Sequence, residues 1–96
     1  MPESVARVPS RAPERYLKQL VSHLGHRLGT ELLPDGRGVI RFESGECLLA
    51  AEPDALVLSA SAADGAQLGH VQDVVARHLE RFGARDGIQV RWSPPA

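Results

Sequence analysis

One stretch, Asp64 to Phe82, constrains the fold more than any other because it is the longest segment with a single clean period. At ~100° per residue, Leu68, Val71, Val75, His78, Leu79 and Phe82 share one stripe, while Gln67, Asp73, Arg77 and Glu80 lie off it. An amphipathic helix is expected here. Asp64 stands at the N-cap with Gln67 three residues on, and Gly83 is placed to end the helix. The odd member is His78, an imidazole expected to be sealed between the helix and the layer it covers. It needs a hydrogen-bond partner or a ligand there, because an unpaired buried polar group costs about 1–3 kcal/mol.

Such a helix needs an apolar surface to cover, and the chain has 96 residues to build it. That length makes one domain, residues 1–96, burying roughly 60–65% of its unfolded surface. The net charge of -1 supplies no field to draw in nucleic acid or an anionic membrane. One cysteine, Cys47, excludes an intramolecular disulfide framework and points to a reducing cytoplasm. No run approaches the ~20 apolar residues of a membrane span, and residues 1–16 lack an apolar leader core.

In chain order, Ser4 to Val8 reads as a short strand closed by Pro9. A first helix begins at Pro13, repeats Tyr16, Leu17, Leu20, Leu24 and Leu28 at threes and fours, and ends between Gly25 and Gly29. Four strands follow: Thr30 to Leu33, Val39 to Glu43, Glu46 to Ala51 and Ala55 to Ser61. Pro34-Asp35-Gly36, Ser44-Gly45 and Glu52-Pro53-Asp54 separate them as turns, so the strands form an antiparallel meander. Alternation sends Ile40, Phe42, Cys47, Leu49, Leu56 and Leu58 to one face and Arg41, Glu46 and Ser59 to the other. Ile88, Val90 and Trp92 alternate with Gln89 and Arg91 and read as a last strand. The expected architecture is α+β and two-layered, in the order β-α-β-β-β-β-α-β, with both helices on one face of an antiparallel sheet. On the other face Val39, Leu48 and Val57 stand among polar residues, which suits a patchy solvent face or a homodimer contact. Monomeric sedimentation at high micromolar concentration would remove the dimer.

Most chemistries lack their residues. Gly36-Arg37-Gly38 lies between strands and is a turn, not a phosphate loop. No Gly-x-Ser-x-Gly elbow occurs, and no carboxylate pair is set apart as acid and base. Single-stranded nucleic acid would need outward aromatics on a basic sheet, whereas Phe42, Phe82 and Trp92 are expected to face inward. Histidine and cysteine remain. His23 and His26 are one helical turn apart and can reach one ion, while Cys47 and His78 are both expected on inward faces and could meet. His23, His26, Cys47 and His78 are thus the candidate ligands for a transition metal or haem. Against that reading, a buried thiol is usually a small hydrophobe, and His78 could simply bond a backbone carbonyl. His70, beside Asp73, reads as a solvated surface residue.

Ala6-Arg7-Val8, Arg15-Tyr16-Leu17-Lys18-Gln19-Leu20, His23 with His26, Gly45-Glu46-Cys47, Ala51-Glu52-Pro53-Asp54-Ala55-Leu56 and the run Val71 to Phe82 together resemble the bacterial domain of unknown function 2218 family. The last two motifs carry most of the resemblance. The resemblance implies an accessory role in iron handling, because members occur beside or fused to siderophore-interacting flavoproteins. It carries over no catalytic residue. It places His23, His26, Cys47, Glu52 and His78 inside the recognisable motifs. Ala12 departs from the family's usual Asp before the proline, leaving Ser10 as an imperfect helix cap.

Two function classes follow. The first is a cytoplasmic, non-enzymatic module without a cofactor, self-associating as a homodimer or binding a partner such as a siderophore-interacting flavoprotein. The second is a metal- or haem-binding protein using the His/Cys set. An enzyme ranks third, since no residue is defensible as a nucleophile.

Overall fold

A computed structural model describes residues 2–94. Its elements run β1 (Glu3–Pro9), α1 (Pro13–Leu24), β2 (Gly29–Leu32), β3 (Gly38–Phe42), β4 (Gly45–Glu52), β5 (Ala55–Ala62), α2 (Gly65–Phe82) and a single 3-10 turn (Ala84–Asp86). The five strands form one antiparallel sheet in the order β1-β5-β4-β3-β2, so β2 to β5 are a meander and β1 closes its far side on β5.

Register places the expected apolar residues on one face. Ile40 lies opposite Cys47, Cys47 opposite Ala60, and Ala60 opposite Ser4; the next inner row is Gly38, Leu49, Leu58 and Ala6. Ile40, Cys47, Leu49, Leu56 and Leu58 have no exposed surface. Both helices lie on this face. Tyr16, Leu17, Leu20 and Leu24 of α1 and Leu68, Val71, Val75 and Leu79 of α2 join the sheet residues in one core cluster. Gly38 lets α1 approach, because a Cβ there would stand 2.8 Å from Val21 Cγ2 and 3.2 Å from Leu17 Cδ2.

The two helices begin differently. Asp64 Oδ1 accepts from the Gln67 N–H at 2.8 Å, which is the cap expected for α2. Ala12 offers α1 no side-chain cap, and Ser10 Oγ accepts only from the Ala12 N–H.

A sixth strand does not form among the described residues, and the predicted strand Ile88 to Trp92 is corrected to an extended tail over the edge of the helical layer. Gly83 and Gly87 turn the chain back along α2: a Cβ on Gly83 would stand 2.5 Å from Ile88 Cδ1, and Gly87 takes φ +68°. Several of the tail's backbone groups then find other partners, while the buried Trp92 Nε1 has none among the described residues. Ile88 N–H donates to Gly83 O, Val90 N–H donates to Glu80 Oε2 at 2.8 Å, and Ser93 N–H donates to Val5 O at 2.8 Å. Val5 N–H donates in return to Ser93 Oγ, and the buried Ser4 Oγ donates to Ser93 O at 2.6 Å. The tail meets the edge strand β1 at Ser93. Its alternation is real all the same, since Ile88, Val90 and Trp92 pack on the core while Gln89 and Arg91 face solvent.

The outer face is mixed, as expected. Leu48 and Val5 are 40% and 45% exposed, but their row neighbour Val39 is only 4% exposed. Ion pairs of Arg7 with Glu52 and Asp54, and of Arg41 with Glu31, flank this row; their side chains are about half exposed or more and stabilise little. No helix among the described residues is long and apolar enough to cross a membrane.

Candidate histidine cleft

Where the C-terminal end of α1 passes α2, the chain leaves an open cleft of about 580 Å³. That volume falls within the roughly 300–1,000 Å³ usual for small-molecule sites. The cleft gathers all four histidines of the chain, His23, His26, His70 and His78, with Arg27 and Arg81. Leu24, Leu28, Phe42 and Val74 supply the apolar wall.

The helices position these groups by simple periodicity. On α2, His70, Val74 and His78 follow at intervals of four and so share one face, with Arg81 a turn beyond. At the end of α1, Gly25 keeps right-handed helical dihedrals and Leu28 N–H donates to Leu24 O at 2.9 Å, so a further turn carries His26, Arg27 and Leu28 round toward α2. The rings are in contact. His23 and His78 have centroids 5.3 Å apart, His23 meets Phe82 edge-on at 5.1 Å, and His70 meets Phe42 edge-on at 5.9 Å.

His78 is not sealed in the core. It lies at the border of the buried stripe, half-buried, and its Nδ1 stands 2.7 Å from Val74 O. A carbonyl oxygen only accepts, so Nδ1 carries the proton and Nε2 keeps its lone pair in the neutral ring. Arg27 and Arg81 make no ion pair among the described residues, and no carboxylate lines the cleft.

The proposed ligand set is thus brought together in part. His23, His26 and His78 converge on the cleft, and His70 joins them although its sequence setting reads as plain surface. Cys47 does not join. It is fully buried in the middle of the sheet opposite Ile40 and Ala60, and burial pushes its thiol up to about 12. No three His, Cys, Asp or Glu side chains among the described residues are grouped so as to hold a metal ion. Glu52 pairs with Arg7 on the outer face and is not part of the cleft.

A separate link ties α1 to the turn after α2: Tyr16 OH donates to Asp86 Oδ2. This hydrogen bond, with burial and the Asp86 charge, raises the Tyr16 phenol above its ordinary value.

No curated protein matches the chain. Among solved structures, the NMR structure of PA4090 from Pseudomonas aeruginosa is similar, with 35% sequence identity and a TM-score of 0.81 over 98% of this chain and 97% of that one. The profile of a family described as an uncharacterized protein conserved in bacteria, DUF2218, matches residues 5–93. With that match spanning nearly the whole sequence, and an α+β fold shared with a solved structure over nearly the full length of both chains, the chain belongs to the bacterial DUF2218 family.

Proposed function

We propose that the protein is a non-enzymatic binding module whose cleft takes a small anionic ligand with a flat apolar part. The observation that carries this reading is the composition of the lining: four imidazoles, two guanidiniums without ion-pair partners among the described residues and four apolar side chains, with no carboxylate. The chain's net charge of -1 includes Arg27 and Arg81, so the rest of the molecule is net negative while the cleft lining is locally positive. The lining also holds no Ser, Thr or Cys, so its imidazoles have no nucleophile beside them to activate. Binding, not bond-breaking, is what such a lining supports.

Ferric complexes of aromatic chelators are anionic and partly apolar, so this ligand class suits the accessory role in iron or siderophore handling that the family resemblance implies. A cytoplasmic setting, a siderophore-interacting flavoprotein partner and a second copy on the outer sheet face belong to the same proposal.

Salicylate, a small aromatic anion, is the probe. Titration followed by ring ¹H–¹⁵N spectra is expected to move the signals of His23, His26, His70 and His78 in a salt-sensitive way. A variant carrying Arg27→Glu and Arg81→Glu should bind at least tenfold more weakly. Equal shifts with an aromatic cation of similar size, or shifts confined to other parts of the molecule, would defeat the reading.

A further inference from the structure

Within the cleft, His78 differs from the other three imidazoles because one of its nitrogens is already assigned. The Nδ1–H bond to Val74 O at 2.7 Å holds the ring and leaves Nε2 as a lone-pair donor on a residue that lines the cleft. A backbone carbonyl accepting from the second ring nitrogen is the usual support of a metal-ligating histidine, since it fixes the tautomer and raises the basicity of the free nitrogen.

The surroundings reject a bare cation. No carboxylate lines the cleft to balance a divalent charge, no group of three protein donors forms among the described residues, and Arg27 and Arg81 repel positive charge. A metal can be accepted only if it arrives with its own anionic chelator, and Nε2 can bind it only if that chelator leaves a coordination position open. A chelator that saturates the metal fails the second condition. A planar tetrapyrrole meets both, and its two remaining requirements are also met: an apolar wall for the ring and cations for its carboxylates.

Resting on the cleft as the binding site, we infer that its ligand is an anionic iron tetrapyrrole, with His78 Nε2 as an axial ligand. Leu24, Leu28, Phe42 and Val74 cover the ring, and Arg27 and Arg81 pair with the carboxylates. The coordination step is balanced simply. The Nε2 lone pair forms the bond, water leaves the axial position of the ferric ion, and the proton stays on Nδ1, hydrogen-bonded to Val74 O.

The test compares ferric protoporphyrin, metal-free protoporphyrin and Zn²⁺ alone on the full chain and its variants. Ferric protoporphyrin is expected to bind one per chain with a nitrogen-ligated Soret band. His78→Ala and His78→Gln should each lose that band and weaken binding at least tenfold, with circular dichroism unchanged. Metal-free protoporphyrin should bind the full chain and both His78 variants alike, and Zn²⁺ should not bind. The inference is overturned if the His78 variants keep the wild-type band and affinity, or if His26→Ala or His70→Ala removes the band instead. Loss of the inference alone would leave salicylate and metal-free protoporphyrin binding intact, whereas failure of the proposed function would show as no response of the cleft to any anion.

Discussion

Ending the chain at Gly87 is expected to lower the unfolding temperature by about 20 °C or more and to make the remaining protein associate. The removed tail carries Ile88, which is 8% exposed, together with Val90 and Trp92, which pack on the core. Fully burying one large apolar side chain stabilises by about 1.5–3 kcal/mol, so one buried and two partly buried side chains amount to about 4–6 kcal/mol. A domain of this size has about 5–14 kcal/mol in total. The tail therefore holds a large share of the stability although it is neither helix nor strand.

Its second role concerns the edge of the sheet. β1 is an edge strand, and Val5 uses both its N–H and its C=O on Ser93. Without the tail those groups face solvent on a strand able to pair with another chain. Thermal unfolding by circular dichroism and sedimentation across a concentration series check both effects. Arg91→Ala, at an exposed position of the same tail, should stay within about 0.5 kcal/mol of the parent. An unfolding temperature unchanged by the truncation would show that the tail is not part of the core.

The tail also marks the limit of what local pattern conveys. Alternation at Ile88, Val90 and Trp92 reports that every second residue is buried, and it does so whether the burying surface is a sheet or the crevice between α2 and β1. Backbone pairing, which separates the two, depends on groups distant in sequence, here Glu80, Val5 and Ser93. The helix α2 and the inner face of the meander were legible because each is declared by many residues in one period. Val39 shows the converse: its place on the outer face was legible, but its near-complete burial comes from cross-strand neighbours such as Glu31 and Leu48.

For the site, the pair His23 and His26 was legible from its spacing, and the tie of His78 to a backbone carbonyl was a foreseeable alternative to metal binding. The depth of His78 was not, because a residue at the border of an apolar stripe is buried or open according to what lies beside the helix. His70 carried a usable signal in its spacing of eight from His78, which puts both on one face with Val74 between them. What no spacing supplies is the meeting of that face with the end of α1, a consequence of both helices covering the same side of the sheet.

Raising the pH from 9 to about 12 is expected to remove about 3 kcal/mol of stability through Cys47 alone, and the sign follows from where its thiol titrates. In the unfolded chain the thiol has the ordinary value of 9.0; in the fold, burial pushes it up to about 12, against a Ser59 backbone hydrogen bond and with help from the Glu46 charge. Below pH about 9 both states are protonated and the contribution is fully present. Above it the unfolded chain gives up the proton while the folded chain holds it, so stability falls by about 1.4 kcal/mol per pH unit until the folded thiol also ionises. The raised Tyr16 phenol pulls the same way at higher pH, so the comparison must be with Cys47→Ala, in which only the cysteine contribution is absent. Urea unfolding midpoints at pH 8, 9, 10 and 11 should diverge between the two proteins above pH 9, the parent falling faster. Iodoacetamide at pH 8 should modify Cys47 only at the rate at which the fold opens, because the thiol is both protonated and without exposed surface. Parallel pH profiles, or rapid alkylation of the folded protein, would mean that Cys47 is not enclosed between the sheet and its helices, and the layer that also sets the cleft would have to be redrawn.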